Sequence, residues 1–130
     1  MDKYIKLKEE LIKNYFNAWK ENNDSILDST FENDIVYSEC FGPEYHGIDQ
    51  LKLWFTHWNK KGEVLSWDIH QFIHSSNKTV VEWYFKCNYD SEVSEFNGVS
   101  IIEFTSDLRI KSLKEFESKA EHIYPYEQQK

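Results

Sequence analysis

Residues 95–118 read EFNGVSIIEFTSDLRIKSLKEFES, and this stretch decides the fold. Phe96, Gly98, Ser100, Ile102 and Phe104 alternate with Asn97, Val99, Ile101 and Glu103. That is the period of two that sends successive side chains to opposite faces of a strand. Thr105, Ser106 and Asp107 follow, short polar residues that bond nearby backbone groups and so favour a turn. Residues 110–116 then return antiparallel. The return strand carries an anomaly. Glu115 stands two residues after Leu113, so both point to one face. If that face is the concave, apolar one, a carboxylate sits inside a hydrophobic pocket.

Upstream, residues 79–87 place Val81, Trp83, Phe85 and Cys87 on one face and Val80, Glu82, Tyr84 and Lys86 on the other. Residues 88–94 are polar and acidic and read as a loop. From Val64 the chain alternates Trp67, Ile69, Gln71 and Ile73 with Asp68, His70, Phe72 and His74. Ser75-Ser76-Asn77-Lys78 predicts a hairpin turn between these two strands. Before the strands come helices. Over residues 4–22, Tyr4, Leu7, Leu11, Ile12, Tyr15, Phe16 and Trp19 form one apolar stripe. Asn22-Asn23-Asp24-Ser25 ends that helix and caps a short second one carrying Ile26 and Leu27. Residues 31–41 predict a strand with Ile35, Tyr37, Glu39 and Phe41 on one face, broken by Gly42-Pro43. Residues 47–61 predict a third helix with Ile48, Leu51, Trp54, Phe55 and Trp58 inward and Gly62 as its stop. Residues 119–130 are a polar tail.

Helices followed by antiparallel strands predict an α+β fold in a single domain, residues 1–130. The expected shape is a cone: a curved, mostly antiparallel sheet, with three helices covering the concave face around a pocket. Aromatic residues make up 17% of the chain and include five tryptophans, so the core or the pocket must be aromatic-lined. Fifteen basic residues against 23 acidic ones give a net charge of −8. That argues against non-specific nucleic-acid binding, which needs a basic patch, and disfavours anionic membrane surfaces. No apolar run reaches the length of a membrane span, and MDKYIKLKEEL lacks a signal-peptide core. Cys40 and Cys87 make no disulfide framework; both read as reduced residues of a cytoplasmic protein.

The order helix, short helix, strand, helix, four long strands resembles the nuclear transport factor 2-like superfamily. Within it the chain resembles the SnoaL-like polyketide cyclases and ketosteroid-isomerase-like proteins. YHGIDQLKLWFTHW, VVEWYF and GVSIIEFTSDLRIKSLKEF carry the resemblance, which covers nearly the whole chain. The last segment is similar to the family's Phe-x-x-x-Gly-Lys-Ile turn and closing strand, with Leu108-Arg109 in place of Gly-Lys. The resemblance implies the cone fold, and it leaves the activity open, because this superfold hosts isomerases, cyclases, epoxide hydrolases and binders. The limonene-epoxide-hydrolase-like members use an Arg-x-Asp pair where this chain has Trp83 and Phe85. Their Tyr, polar residue and last-strand acid match Tyr37, Glu39 and Glu115 in type.

The candidate pocket therefore comprises Trp19, Tyr37, Glu39, Trp58, Trp83, Phe85, Ser100, Leu113 and Glu115. Glu115, Glu39 and Tyr37 are the candidate catalytic residues; the others are candidate ligand contacts. Gly98 and Ser100, small and inward, are expected to leave room for a ligand. A carboxylate among aromatics has its pKa raised by desolvation, and a second one nearby raises it further. One acid could then serve as base while the other, protonated, donates, with Tyr37 orienting a carbonyl or a water. The bland readings stand beside these. Glu115 could be a rim carboxylate, Glu39 a strand-end residue, and Trp19 and Trp58 packing alone. His70 and His74, four apart, lack a third metal ligand, so no metal or cofactor is called for.

These residues support a small-molecule pocket protein and leave open whether it is an enzyme; the catalytic form would be an acid/base enzyme of isomerase, cyclase or hydratase type acting on a small apolar ring or carbonyl compound. The alternatives are a non-catalytic binder of a hydrophobic ligand and a dimeric protein-interaction domain. The expected partners are a small apolar molecule and a second copy of the chain. The second copy would dock on the outer sheet face, where Tyr84, Val99 and Ile101 point away from the pocket.

Overall fold

The computed structural model describes residues 2–127. Three helices, α1 (Asp2–Glu21), α2 (Leu27–Thr30) and α3 (Ile48–Lys61), accompany six strands. These are β1 (Phe31–Ser38), β2 (Glu44–His46), β3 (Gly62–Ser75), β4 (Lys78–Tyr89), β5 (Glu92–Phe104) and β6 (Ile110–Lys119). They form one open sheet in the order β2-β1-β6-β5-β4-β3. β3 to β6 pair antiparallel in sequence, and β1 lies parallel beside β6. The architecture is the expected α+β cone.

The core lies between the helices and the concave sheet face. From α1 it takes Ile12, Tyr15, Phe16 and Trp19, spaced three and four apart on one stripe. From the sheet it takes Ile35, Tyr37, Trp67, Val81, Trp83, Ile102, Phe104 and Leu113. Burying each such side chain contributes about 1.5–3 kcal/mol. The stripe is shorter than its sequence period, because Tyr4 and Leu7 remain exposed. Asn22 closes α1 in the left-handed region at φ 52°, and the Asn23 N–H reaches back to Ala18 O at 2.9 Å, a glycine-free version of a helix stop.

Four local readings of the sequence are corrected. Residues 88–94 are strand ends joined by a two-residue turn rather than a loop: Tyr89 pairs with Glu92, and Asp90 and Ser91 both take positive φ, the twist that hairpin turns require. The break at Gly42-Pro43 does not end the sheet. The chain returns as β2, and Tyr45 pairs with Tyr37. In β3 a register shift between Ile69 and Gln71 resets the alternation. Phe72 and His74 therefore turn inward while Ile73 is exposed, the reverse of the simple period-two reading. Gly62 is not a left-handed stop, since its φ is −129°. It is needed because an added Cβ would lie 2.7 Å from the Tyr89 ring and 2.9 Å from the Trp58 ring.

Candidate functional site

A cavity of about 450 Å³ opens between the C-terminal part of α1, α3 and the sheet, within the size range of small-molecule sites. Seven of the nine sequence-derived residues line it: Trp19, Tyr37, Glu39, Trp58, Trp83, Phe85 and Glu115. Glu115 is brought there by the register of β6, where it sits directly opposite Ser100 of β5, two residues along from the Leu113–Ile102 pair.

A directed hydrogen-bond chain ends on Glu115. Trp19 Nε1 donates to Tyr15 Oη at 2.8 Å. Tyr15 Oη donates to Tyr37 Oη at 2.8 Å, and Tyr37 Oη donates to Glu115 Oε2 at 2.7 Å. An indole N–H can only donate, and a phenol has a single proton. With Glu115 as a carboxylate, an acceptor only, at the other end, the polarity runs from Trp19 to Glu115, and Tyr37 spends its proton on Glu115. Tyr37 is placed to hold Glu115, and it has no second proton with which to orient a carbonyl at the same time. The period-two reading of β1 found Tyr37 but could not show that its neighbours on α1 would claim the hydroxyl.

The carboxyl of Glu115 lies deep in the protein, although the residue as a whole keeps some surface open to the cavity. Burial pushes its pKa up to about 8; Tyr37 and the Cys40 backbone N–H pull it down, and the nearby Glu39 charge pushes it up. Burial outweighs the donors because both are neutral and no cation among the described residues acts on the group. Glu39 follows β1 in a turn closed by its own N–H on Pro43 O at 2.9 Å. Tyr45 Oη donates to Glu39 Oε1 at 2.8 Å, and burial raises the Glu39 pKa against that bond. The Cys40 thiol, beside both acids, is pushed up to about 12, chiefly by burial and then by the charge of Glu115. Both cysteines are free and line the cavity.

Ser100 and Leu113 are not part of the lining. Leu113 is fully buried in the core, and Ser100 Oγ accepts the Trp83 indole N–H at 2.9 Å. Gly98 leaves no room for a ligand either: a Cβ there would meet the Trp83 ring at 2.4 Å. The small residues of β5 seat Trp83, and Trp83 in turn forms the wall. The sequence reading missed Tyr15, Tyr45 and Trp54 as site residues. Trp54 and Tyr45 stack at 4.7 Å over the cavity; the apolar stripe of α3 was the signal for the first, while the short β2 hid the second. His70 and His74 part company at the β3 bulge. His70 is exposed, and His74 turns to Thr79 at 3.0 Å and Glu9 at 2.8 Å.

The sequence matches the SnoaL-like domain over residues 12–113. The chain belongs to that family. Solved structures agree on the fold of this SnoaL-like protein. A protein with a ketosteroid isomerase-like fold from Catenulispora acidiphila, in complex with trimethylamine, superposes with a TM-score of 0.74 at 15% identity, over 85% of this chain and 86% of that one. An epoxide hydrolase of M. tuberculosis, LEH-like by name, gives 0.74 at 14% identity, over 84% and 80%. A SnoaL-like polyketide cyclase from Shewanella denitrificans gives 0.72 at 14%, over 86% and 90%. No curated protein matches the chain. Among the described residues no helix is long and apolar enough to cross a membrane.

Proposed function

We propose that this SnoaL-like protein binds a small organic molecule with an apolar body in the aromatic cavity, and that Glu115 moves a proton to and from it. The hydrogen-bond chain from Trp19 through Tyr15 and Tyr37 to Glu115 carries this reading. A general base works best when its pKa lies near the operating pH, and burial brings Glu115 to about 8. Glu115, as carboxylate, would take a proton from the carbon next to a carbonyl and return it to the same or a neighbouring carbon. Tyr37 is then a positioning residue, and Glu39 a second acid whose charge keeps Glu115 poised. The isomerase and cyclase types in the expected set both begin with this step.

The test is exchange in deuterium oxide with a panel of small cyclic ketones. Wild-type protein should incorporate deuterium next to the carbonyl, faster as pH rises through about 8, and Glu115→Gln should not. A panel member that binds with no exchange at any pH would overturn the catalytic role and leave the second reading, a non-catalytic binder. That reading is favoured by one observation: Trp83 and Phe85 occupy the positions where the hydrolase-like pattern has its Arg-x-Asp pair.

The outer sheet face supports a homodimer. Val80 pairs with Ile101, and Val99 with Phe116; Phe116 is 52% exposed. Tyr84, beside them, donates to Glu95. Both charge signs border this apolar ladder, in Glu82, Lys86, Glu103 and Lys114, so a two-fold axis has unlike charges to set against each other around it. A dimer mass by light scattering at micromolar concentration, lost in Phe116→Glu, is expected; a wild-type monomer would contradict it.

A further inference from the structure

Two acids line a desolvated cavity whose described lining contains no lysine or arginine. Desolvated carboxylates ordinarily acquire a cationic partner or remain protonated at a cost. Among the described residues the donors to these two are neutral: Tyr37 and the Cys40 backbone N–H to Glu115, and Tyr45 to Glu39. The rest of the described lining is mostly aromatic, with Cys40, Pro43, His57, Cys87 and Ser94 among the rings, and neighbouring rings stand at different angles. Trp58 stands at 85° to Trp19, Trp54 at 55° to Trp19, and Phe96 at 66° to Trp83. A ring face carries negative electrostatic potential, so several non-parallel faces around one space attract a positive charge too diffuse to be held by water. Acids and ring faces thus act with the same sign on whatever enters. A neutral apolar molecule would use the rings and could exchange a proton with Glu115, but it would offer neither acid a counter-charge.

We propose that the cavity selects an organic cation, a quaternary or methylated ammonium group on a small apolar body, held against the ring faces with Glu39 and Glu115 as counter-charges. This rests on the reading of the cavity as a small-molecule site and names the class of molecule it takes. It also sharpens the role of Glu115. A bound cation favours the carboxylate and lowers its pKa, so the arriving ligand converts Glu115 to the form that can accept a proton. The groups that face Glu115 are Tyr15 from α1, Tyr37 from β1, and Glu39 and Cys40 from the loop after it. Tyr45 of β2, His57 of α3 and Tyr89 of β4 share the cavity, and Glu117 of β6 lies close enough to act on Cys40.

The experiment compares choline with dimethylbutanol, its neutral isostere in which carbon replaces nitrogen, by calorimetry and tryptophan fluorescence at about pH 6 and about pH 9, either side of the Glu115 transition. Neither probe titrates in that range. Choline should bind about tenfold or more tighter than the isostere, the size of a desolvated cation–π contribution. Its affinity should rise at least about tenfold from the lower to the higher pH, while that of the isostere stays level. Glu115→Gln should abolish the rise and keep isostere binding. His57→Gln should leave the rise in place, which separates Glu115 from repulsion by a protonated histidine. Equal or tighter binding of the isostere would overturn the cation inference while leaving the cavity a ligand site. Binding of neither probe at tens of millimolar would overturn both. A pH rise that survives in Glu115→Gln would remove Glu115 from the account.

Discussion

Two carboxylates lean on this sheet from opposite ends, and they are treated differently. Glu9 of α1 meets His74 Nε2 at 2.8 Å, and the histidine's other nitrogen is held by buried Thr79. Glu115 of β6 meets Tyr37 Oη at 2.7 Å, with Glu39 rather than a base for company. The fold can therefore give a carboxylate a partner able to carry positive charge. At the cavity it gives a phenol instead, oriented by a second phenol and an indole. The Glu9 end fastens a helix to a strand. The Glu115 end keeps an acid near neutrality, where a proton can be taken up or released at little cost.

Glu115→Gln breaks the comparison most strongly. The folded pKa of Glu115, about 8, lies above the unfolded value of about 4.3. The folded state therefore binds more protons between the two. The resulting stability is fully present below the unfolded value and is lost as pH rises through the folded one. Wild-type stability should fall between about pH 5 and pH 8 by on the order of a few kcal/mol, and the variant should lack that slope. Urea unfolding of both proteins at the two pH values reads the difference. The variant should be the more stable at the higher pH, with any proton-transfer activity lost.

Tyr15→Phe cuts the chain in the middle. It leaves the buried Trp19 N–H without its acceptor and Tyr37 without its donor, at a cost of roughly 1–3 kcal/mol in urea unfolding. Because Tyr37 still bonds Glu115, the pH slope should persist; its disappearance would show that the chain acts as one unit. Glu9→Gln, at the other end, should cost at most about 1 kcal/mol and less in high salt, since both partners are partly exposed. A loss there as large as that in Tyr15→Phe would erase the distinction between the two ends.

The fold was legible because its signals are periodic. The alternation in residues 95–118 and the stripe from Ile12 to Trp19 each describe a surface that must be buried, and both elements are where those periods put them. The spacing of Glu115 to Leu113 put both on one face, but it left open whether that face was the concave one or the acid sat at the rim. What could not be read depends on one-residue shifts and on partners distant in sequence. The β3 bulge reverses the facing of Phe72, Ile73 and His74, and no local residue pattern announces it. Gly98 and Ser100 were small for a reason that lies on the neighbouring strand, the Trp83 ring. The Tyr15–Tyr37 bond spans 22 residues; the sequence showed both tyrosines inward but not that one would orient the other. Leu108 holds a left-handed turn, at φ 63°, a conformation that a glycine adopts more cheaply.

The most direct test is the titration of Glu115 itself. The side-chain carboxyl carbons of labelled wild-type protein are followed by NMR from about pH 3 to pH 10, a span covering both the ordinary and the raised value, and the Glu115 resonance is assigned by its absence in Glu115→Gln. A midpoint near 8 is expected, moving down when choline is added. A midpoint in the ordinary carboxylate range, about 4 to 5, would mean that water or an unseen positive charge reaches the group, and the account of Glu115 as a desolvated acid held by Tyr37 would be contradicted.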